Sequence, residues 1–358
     1  MKESALSRHY VAFDGLRGVA ALIVVIFHQS WWLGFNRGWH GFLAVDFFFV
    51  LSGFVIAHSY GHRLASGKMS FLTFAELRII RLYPLIWLGA GLGTVAVLIE
   101  AAQAHRLGLG ARGLLSFLPA LLALPTPFLK HPFMPNGPVW SIFWEILANL
   151  AFAAFITKLS TRRLGFIVVI SGLAVVTTIF ILRDINVGFE WRNIHFGAVR
   201  VTFPFAAGVL IHRLFQEGRL RWMPALPFWA LAVVLAAVLV TPLSYNFLLE
   251  ASYLVPAILV LMPAIVVSGA VSEITGPWLF VARFSGELSY PIYILHTPIC
   301  SLLARSSYYT ALPIPVCLAV VLIVIFVVST LASRLYDRPL RGILSFLAQR
   351  RLQSRLAC

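Results

Sequence analysis

The stretch FDGLRGVAALIVVIFH, residues 13–28, decides how the whole chain is read. Most of its letters belong in hydrocarbon, yet it carries an aspartate and an arginine near one end and a histidine at the other. A run of about 20 apolar residues is long enough to cross a hydrocarbon core of roughly 30 Å. This one is too long for a signal-peptide core and lacks a small-residue cleavage site, so it reads as a retained membrane helix. An ionisable group near the centre of such a span costs at least about 2.5–3.5 kcal/mol, and so marks either function or pairing.

The same pattern recurs along the chain. Its 358 residues are 60% hydrophobic and 11% charged, with a mean hydropathy of +0.90, values outside the range of water-soluble domains. The reading is an all-α polytopic membrane protein with about ten transmembrane helices around a polar central cavity. The expected spans are 12–31, 41–60, 82–101, 138–157, 164–182, 197–215, 226–241, 247–270, 286–305 and 312–333. The segment LLSFLPALLALPTPFL, 114–129, is apolar but broken by Pro119, Pro125 and Pro127, and reads as an interfacial or re-entrant piece of an outer loop.

A net charge of +15 would suggest a nucleic-acid partner in a soluble protein. Here the charge follows topology instead. Twenty of the 28 Lys and Arg, including Lys2, Arg8, Arg17, Arg221 and six in the tail, fall on the N-terminal side of the ten-span scheme. The positive-inside rule then puts both termini in the cytoplasm, with the bilayer rather than nucleic acid as partner. Residues 1–335 form the membrane domain. Residues 336–358 form a basic tail whose LRGILSFLAQRRLQSRL predicts an amphipathic helix on the anionic inner leaflet. Three cysteines, Cys300, Cys317 and Cys358, make no disulfide framework.

Depth along the spans indicates which polar residues can meet. At 1.5 Å per residue, His28 lies about 16 Å further out than Arg17. Asp46 and Glu145 lie roughly 7 and 10 Å inward from the outer ends of their helices. Three spans thus bring His28, Asp46 and Glu145 to similar depth. An imidazole beside a carboxylate suits a general base, and it suits a proton-coupled transporter equally well. His296 lies near mid-membrane in LSYPIYILH, where Pro291 can free backbone carbonyls to line a cavity. Arg78 and Arg81, three apart in RIIRLYP, lie near Arg17 in depth and suit a phosphate-bearing ligand, or simply flank a span. Asp14 and Arg17 have the spacing of a local ion pair, and Asp46 has the position of a helix-start carboxylate. No metal site is expected.

Five stretches taken together resemble the acyltransferase 3 family of bacterial integral-membrane O-acyltransferases. They are FDGLRGVAALIVVIFH, VDFFFVLSGFVIA, RIIRLYPLIW, GPVWSIFWEILANLAF and ELSYPIYILH, in the family's order across residues 13–296. RVTFPFAAGVL, around Arg200, is a weaker match, and Trp87 stands where the family commonly has tyrosine. The resemblance implies transfer of an acyl group, usually acetyl, from cytoplasmic acyl-CoA to a carbohydrate or glycolipid hydroxyl at the outer face of the bacterial inner membrane. It implies His28 as the base, supported by Glu145 and Asp46, with Arg17, Arg78 and Arg81 on the CoA phosphates. Asp14, Trp140, Ser141, Arg200, Tyr293 and His296 are expected to line the cavity. A covalent acyl-enzyme on His28 or Tyr293 is a variant of the same scheme. No tightly bound cofactor is expected, and the chain ends without the hydrolase-like domain that some relatives carry. The alternative is a proton-coupled exporter of a glycolipid or organic acid, but the sequence has no inverted repeat or paired half-helix interruptions to support it.

Overall fold

The computed structural model describes residues 9–34, 39–127, 129–220 and 222–356; Lys2, Arg8, Arg221 and Cys358 lie outside them. Helices run α1 (Val11–Trp32), α2 (Ala44–Ile56), α3 (Phe71–Gln103), α4 (Leu107–Leu121), α5 (Val139–Phe155), α6 (Thr161–Leu182) and α7 (Phe196–Gln216). They continue as α8 (Phe228–Val240), α9 (Phe247–Pro256), α10 (Met262–Val271), α11 (Pro277–Leu303), α12 (Ile314–Leu331) and α13 (Arg338–Leu356). No strand occurs among the described residues. The chain is an all-α multi-pass membrane protein.

Eight helical stretches among the described residues are long and apolar enough to cross a membrane. They correspond to eight of the ten expected spans, α9 and α10 joining through a wide turn at Ala257–Leu261 into one stretch, Phe247–Val271. The other two expected spans are helices of a different kind. α8 has only 13 residues, and the 27-residue α11 is long enough but includes Arg283, Glu287 and His296. Two boundaries also move. α3 begins at Phe71 rather than near residue 82, because Ser70 caps it by accepting from the Thr73 amide at 3.1 Å. The first half of the segment expected to be interfacial or re-entrant belongs to α4, which starts at Leu107. Gly113 and Gly110 seat it against Val97 and Ala101 of α3, and Pro119 falls in its last turn.

The chain forms two compact units. The first comprises residues 1–68 and 144–289, the second residues 69–143 and 290–358. In the first unit α2 and α7 touch backbone to backbone. A Cβ placed on Gly53 would fall on the carbonyl oxygen of Phe205, and one on Gly208 would fall on that of Val50. Small residues that let backbones approach are the usual device for helix association in lipid, where apolar burial alone drives little. Asp46 with Arg200, Phe54 with Gly208 and His58 with His212 are neighbours at a constant offset of 154 residues, so the two helices run parallel and in register. α1 is held in a similar way to the first half of α11. Gly15 and Gly18 face Ala282 and Ser285, and Gly286 lies on Asp14.

The outer end of α2, as the topology predicts it, is tied down by a residue that hydropathy does not single out. His40, 1% exposed, donates from Nδ1 to the Thr241 carbonyl at 2.8 Å, and its Nε2 lies 2.8 Å from Glu250 Oε1. The second unit is built on α3. Tyr290 of α11 donates to the Leu82 carbonyl at 2.7 Å, and Arg305 pairs with Glu100. Pro298 has no N–H for the Ile294 carbonyl four residues back; Asn136 Nδ2 supplies the donor at 2.9 Å.

Gly208→Ala should drive the new methyl into the Val50 backbone and lower stability by at least about 1–3 kcal/mol, read as the thermal unfolding midpoint in detergent. Asp46→Ala leaves Arg200 buried without its counter-charge, a loss of about 3–5 kcal/mol, and should empty the monodisperse size-exclusion peak. The paired change Asp46→Leu with Arg200→Met should restore most of that peak. A normal peak for Asp46→Ala alone would show that the pair is not structural.

Candidate active site

His28 is half-buried on α1, and its Nδ1 lies 3.0 Å from the Val24 carbonyl of the preceding turn. A carbonyl can only accept, so this contact puts the ring proton on Nδ1 and leaves Nε2 as the nitrogen with the lone pair. A backbone carbonyl of the same helix thus favours this tautomer. Glu145, half-buried on α5, accepts a hydrogen bond from Ser52 Oγ of α2 at 2.8 Å. The same helix that packs backbone to backbone on α7 therefore orients the carboxylate.

Asp46 does not fill the role expected of it beside His28. It receives Arg200 Nη2 at 2.8 Å and Nε at 3.1 Å, and both side chains are 1% exposed. Arg200 Nη2 also donates to the Phe42 carbonyl at 2.9 Å. Sequence depth gives Asp46 a position along its helix. It did not reveal that Asp46 faces α7, where a buried cation claims both carboxylate oxygens. Arg200, expected to line a cavity, is for the same reason an internal strut. Asp14 and Arg17 form the local ion pair that their spacing allowed, at 2.6 Å, with His9 Nε2 3.1 Å from the other Asp14 oxygen.

In the second unit Ser141 and Tyr293 meet hydroxyl to hydroxyl at 2.6 Å, both buried. His296 is wholly buried one turn beyond Tyr293, and its Nδ1 lies 2.7 Å from the Tyr293 carbonyl, so it too has its lone pair on Nε2. Trp140 is buried beside this pair in sequence. Arg78 is half-buried and Arg81 exposed in the third turn of α3, not at its mouth.

One residue escaped the sequence reading. Asn149 lies four residues after Glu145, hence on the same face of α5. It is 0% exposed, and neither its Oδ1 nor its Nδ2 has a hydrogen-bond partner among the described residues. Continuing along that face, Phe152 and Ile156 form one wall of a pocket of about 250 Å³, which His62, His212 and Arg213 line from α2's extension and α7. Residues 145, 149, 152 and 156 have the three-four spacing of one helical stripe, a pattern visible in the sequence, although the burial of a lone amide is not. A buried, unsatisfied amide costs about 1–3 kcal/mol per group. Asn149→Leu, close in volume, should therefore raise the thermal unfolding midpoint of the detergent-solubilised protein. A lower midpoint would mean that something holds the amide in the native state.

The Acyltransferase domain family, Acyl_transf_3, matches residues 10–334. A protein of Rhizobium radiobacter, protein 2 in the picA locus, is 31% identical over 46% of this chain and 91% of its own length. BcsY of Komagataeibacter xylinus, provisionally named a membrane-bound transacylase, is 26% identical over 80% of this chain and 71% of its own. A provisionally named O-acetyltransferase of Staphylococcus aureus is 21% identical over 93% of this chain, which spans 58% of that longer protein. No solved structure matches the chain. The match covers His28, Asp46, Glu145 and Arg200 of the first unit and Ser141, Tyr293 and His296 of the second. The chain belongs to the acyltransferase 3 family and is a membrane acyltransferase.

Proposed function

We propose that this enzyme transfers an acyl group, acetyl in the simplest case, from cytoplasmic acyl-CoA to a hydroxyl of a cell-surface or exported carbohydrate or glycolipid. The observation that carries the chemical part of this reading is the His28 Nδ1 contact to Val24, which makes Nε2 the basic nitrogen. Nε2 takes the proton of the acceptor hydroxyl as its oxygen bonds to the thioester carbonyl carbon. The tetrahedral intermediate then expels the CoA thiolate, and the imidazolium returns the proton to that sulfur. Glu145, kept in orientation by Ser52, stabilises the imidazolium while it exists. The reaction needs no third partner to balance.

Asp46 drops out of this scheme as a catalytic group, because its charge is committed to Arg200. The placement of CoA phosphates on Arg17, Arg78 and Arg81 rests on the sequence, as does the placement of both termini in the cytoplasm of a bacterial inner membrane. Carbohydrate or glycolipid as acceptor rests on the family's habits. The hydroxyl–hydroxyl pair of Ser141 and Tyr293 is compatible with the acyl-enzyme variant as well as with direct transfer.

The test is transfer of radiolabelled acetyl from acetyl-CoA in inverted vesicles. His28→Ala should lower transfer by about 10²–10⁴-fold at unchanged protein level in the membrane. Glu145→Gln should lower it less, with the deficit mainly in kcat. Retained activity in His28→Ala would remove the base assignment, and a vesicle that labels no acceptor at all would remove the acetyl-CoA reading.

A further inference from the structure

The basic tail continues from α12 through a wide, π-type turn at Ala332–Asp337 and packs, as α13, against α3 within the second unit. Such turns, which shift the register of a helix by a fraction of a turn, are frequent at functional sites. This one buries Asp337, at 3% exposure, and α13 places Arg341 four residues on, where its Nη2 meets Asp337 Oδ2 at 2.6 Å. Arg81 of α3 lies within electrostatic reach of both, and Arg338 and Tyr290 lie within reach of Arg341.

Two guanidinium groups, Arg81 and Arg341, therefore share the one carboxylate of Asp337, with Arg338 beside Arg341. Arg341 is only about one-fifth exposed. Two atoms at its centre are buried and have no partner among the described residues, the donor Arg341 Nε and the acceptor Asp337 Oδ1. Positive-inside flanking accounts for arginines at this end of the spans. It does not account for an aspartate buried among them, nor for an Arg341 N–H and an Asp337 oxygen that are each buried without a partner among the described residues. A ligand that brings anionic oxygens together with O–H or N–H donors would satisfy both. The nucleotide end of an acyl-CoA, with its phosphates, ribose hydroxyl and adenine amine, has that chemistry. An anionic glycerol-bearing lipid headgroup shares it.

We propose that Arg81, Arg341 and Arg338, balanced by Asp337, form a phosphate site for the nucleotide end of the acyl donor, and that the C-terminal helix is part of donor binding rather than a membrane anchor alone. The inference rests on the acyl-CoA reading above. It goes beyond the family, because Asp337, Arg338 and Arg341 follow the matched region, which ends at 334.

The experiment compares acetyl-CoA with S-acetyl-pantetheine, the same thioester without nucleotide or phosphate, as donors for the full-length chain in phosphatidylcholine vesicles. Wild type should prefer acetyl-CoA, as the ratio of the two kcat/KM values. Arg341→Gln and Arg81→Gln should each lower that ratio about tenfold or more, the effect expected for loss of a charged hydrogen bond, and Arg341→Lys should recover part of it. Because Arg341→Gln leaves Asp337 buried without its cation, Asp337→Asn with Arg341→Gln is the control for folding, and it should show the same lowered ratio. An unchanged ratio in folded variants, or a wild type with no preference, would overturn the site while leaving acetyl-CoA as donor. A loss that appears only when phosphatidylglycerol is added, equally for both donors, would give the arginines to a lipid headgroup and overturn it as well. Failure of wild type to use either donor would instead fell the donor reading itself.

Discussion

The contact on which the first unit depends is the parallel seam between α2 and α7. Gly53 and Gly208 each occupy space that a single methyl would take from the other helix's backbone. In a bilayer the outside of a helix is already in an apolar solvent, so burial offers little reason for two helices to choose each other. Close backbone approach gains dispersion contacts that no lipid tail can match, and it selects one register. That register places Asp46 opposite Arg200 and His58 opposite His212. It also fixes where Ser52 points, and thus where the carboxylate of Glu145 is held.

The ionisable groups inside the spans are consistent with that economy. A lone charge in hydrocarbon is expensive, and Asp46 with Arg200 and Asp14 with Arg17 are paired at hydrogen-bond distance. The histidines are handled differently. Both His28 and His296 direct Nδ1 to a carbonyl of the preceding turn, which leaves Nε2 as the ring nitrogen that can carry the lone pair. A neutral imidazole with an assigned tautomer is cheaper to bury than an ion and remains competent as a base. Asn149 contrasts with all of these, because its amide is buried without a bond.

The family match and the compact units divide the chain in different places. The match runs continuously from 10 to 334, whereas the units interleave, changing over within α5 and within α11. The first unit contains His28 and Glu145. The second gathers α3, the serine–tyrosine pair, His296 and the C-terminal helix. Residues beyond the matched region are packed elements of that second unit, not a loose appendage.

Much of this was legible in one dimension. Hydropathy located eight of the ten spans and the helical nature of the rest, because apolar length is a property of the chain alone. Relative depth can be read from sequence too, because a helix rises by a fixed amount per residue. What a rise per residue cannot supply is azimuth. Whether Asp46 turns to His28 or to Arg200 depends on which helix lies beside α2, and glycines 155 residues apart settle that through a contact neither helix encodes by itself. The same holds for Arg341, a tail residue by sequence, which the turn at Ala332–Asp337 and packing on α3 bring to Arg81. Composition and periodicity determined the helices and their polar cargo; tertiary packing decided which faces meet, because partner choice depends on surfaces that exist only once the helices are assembled.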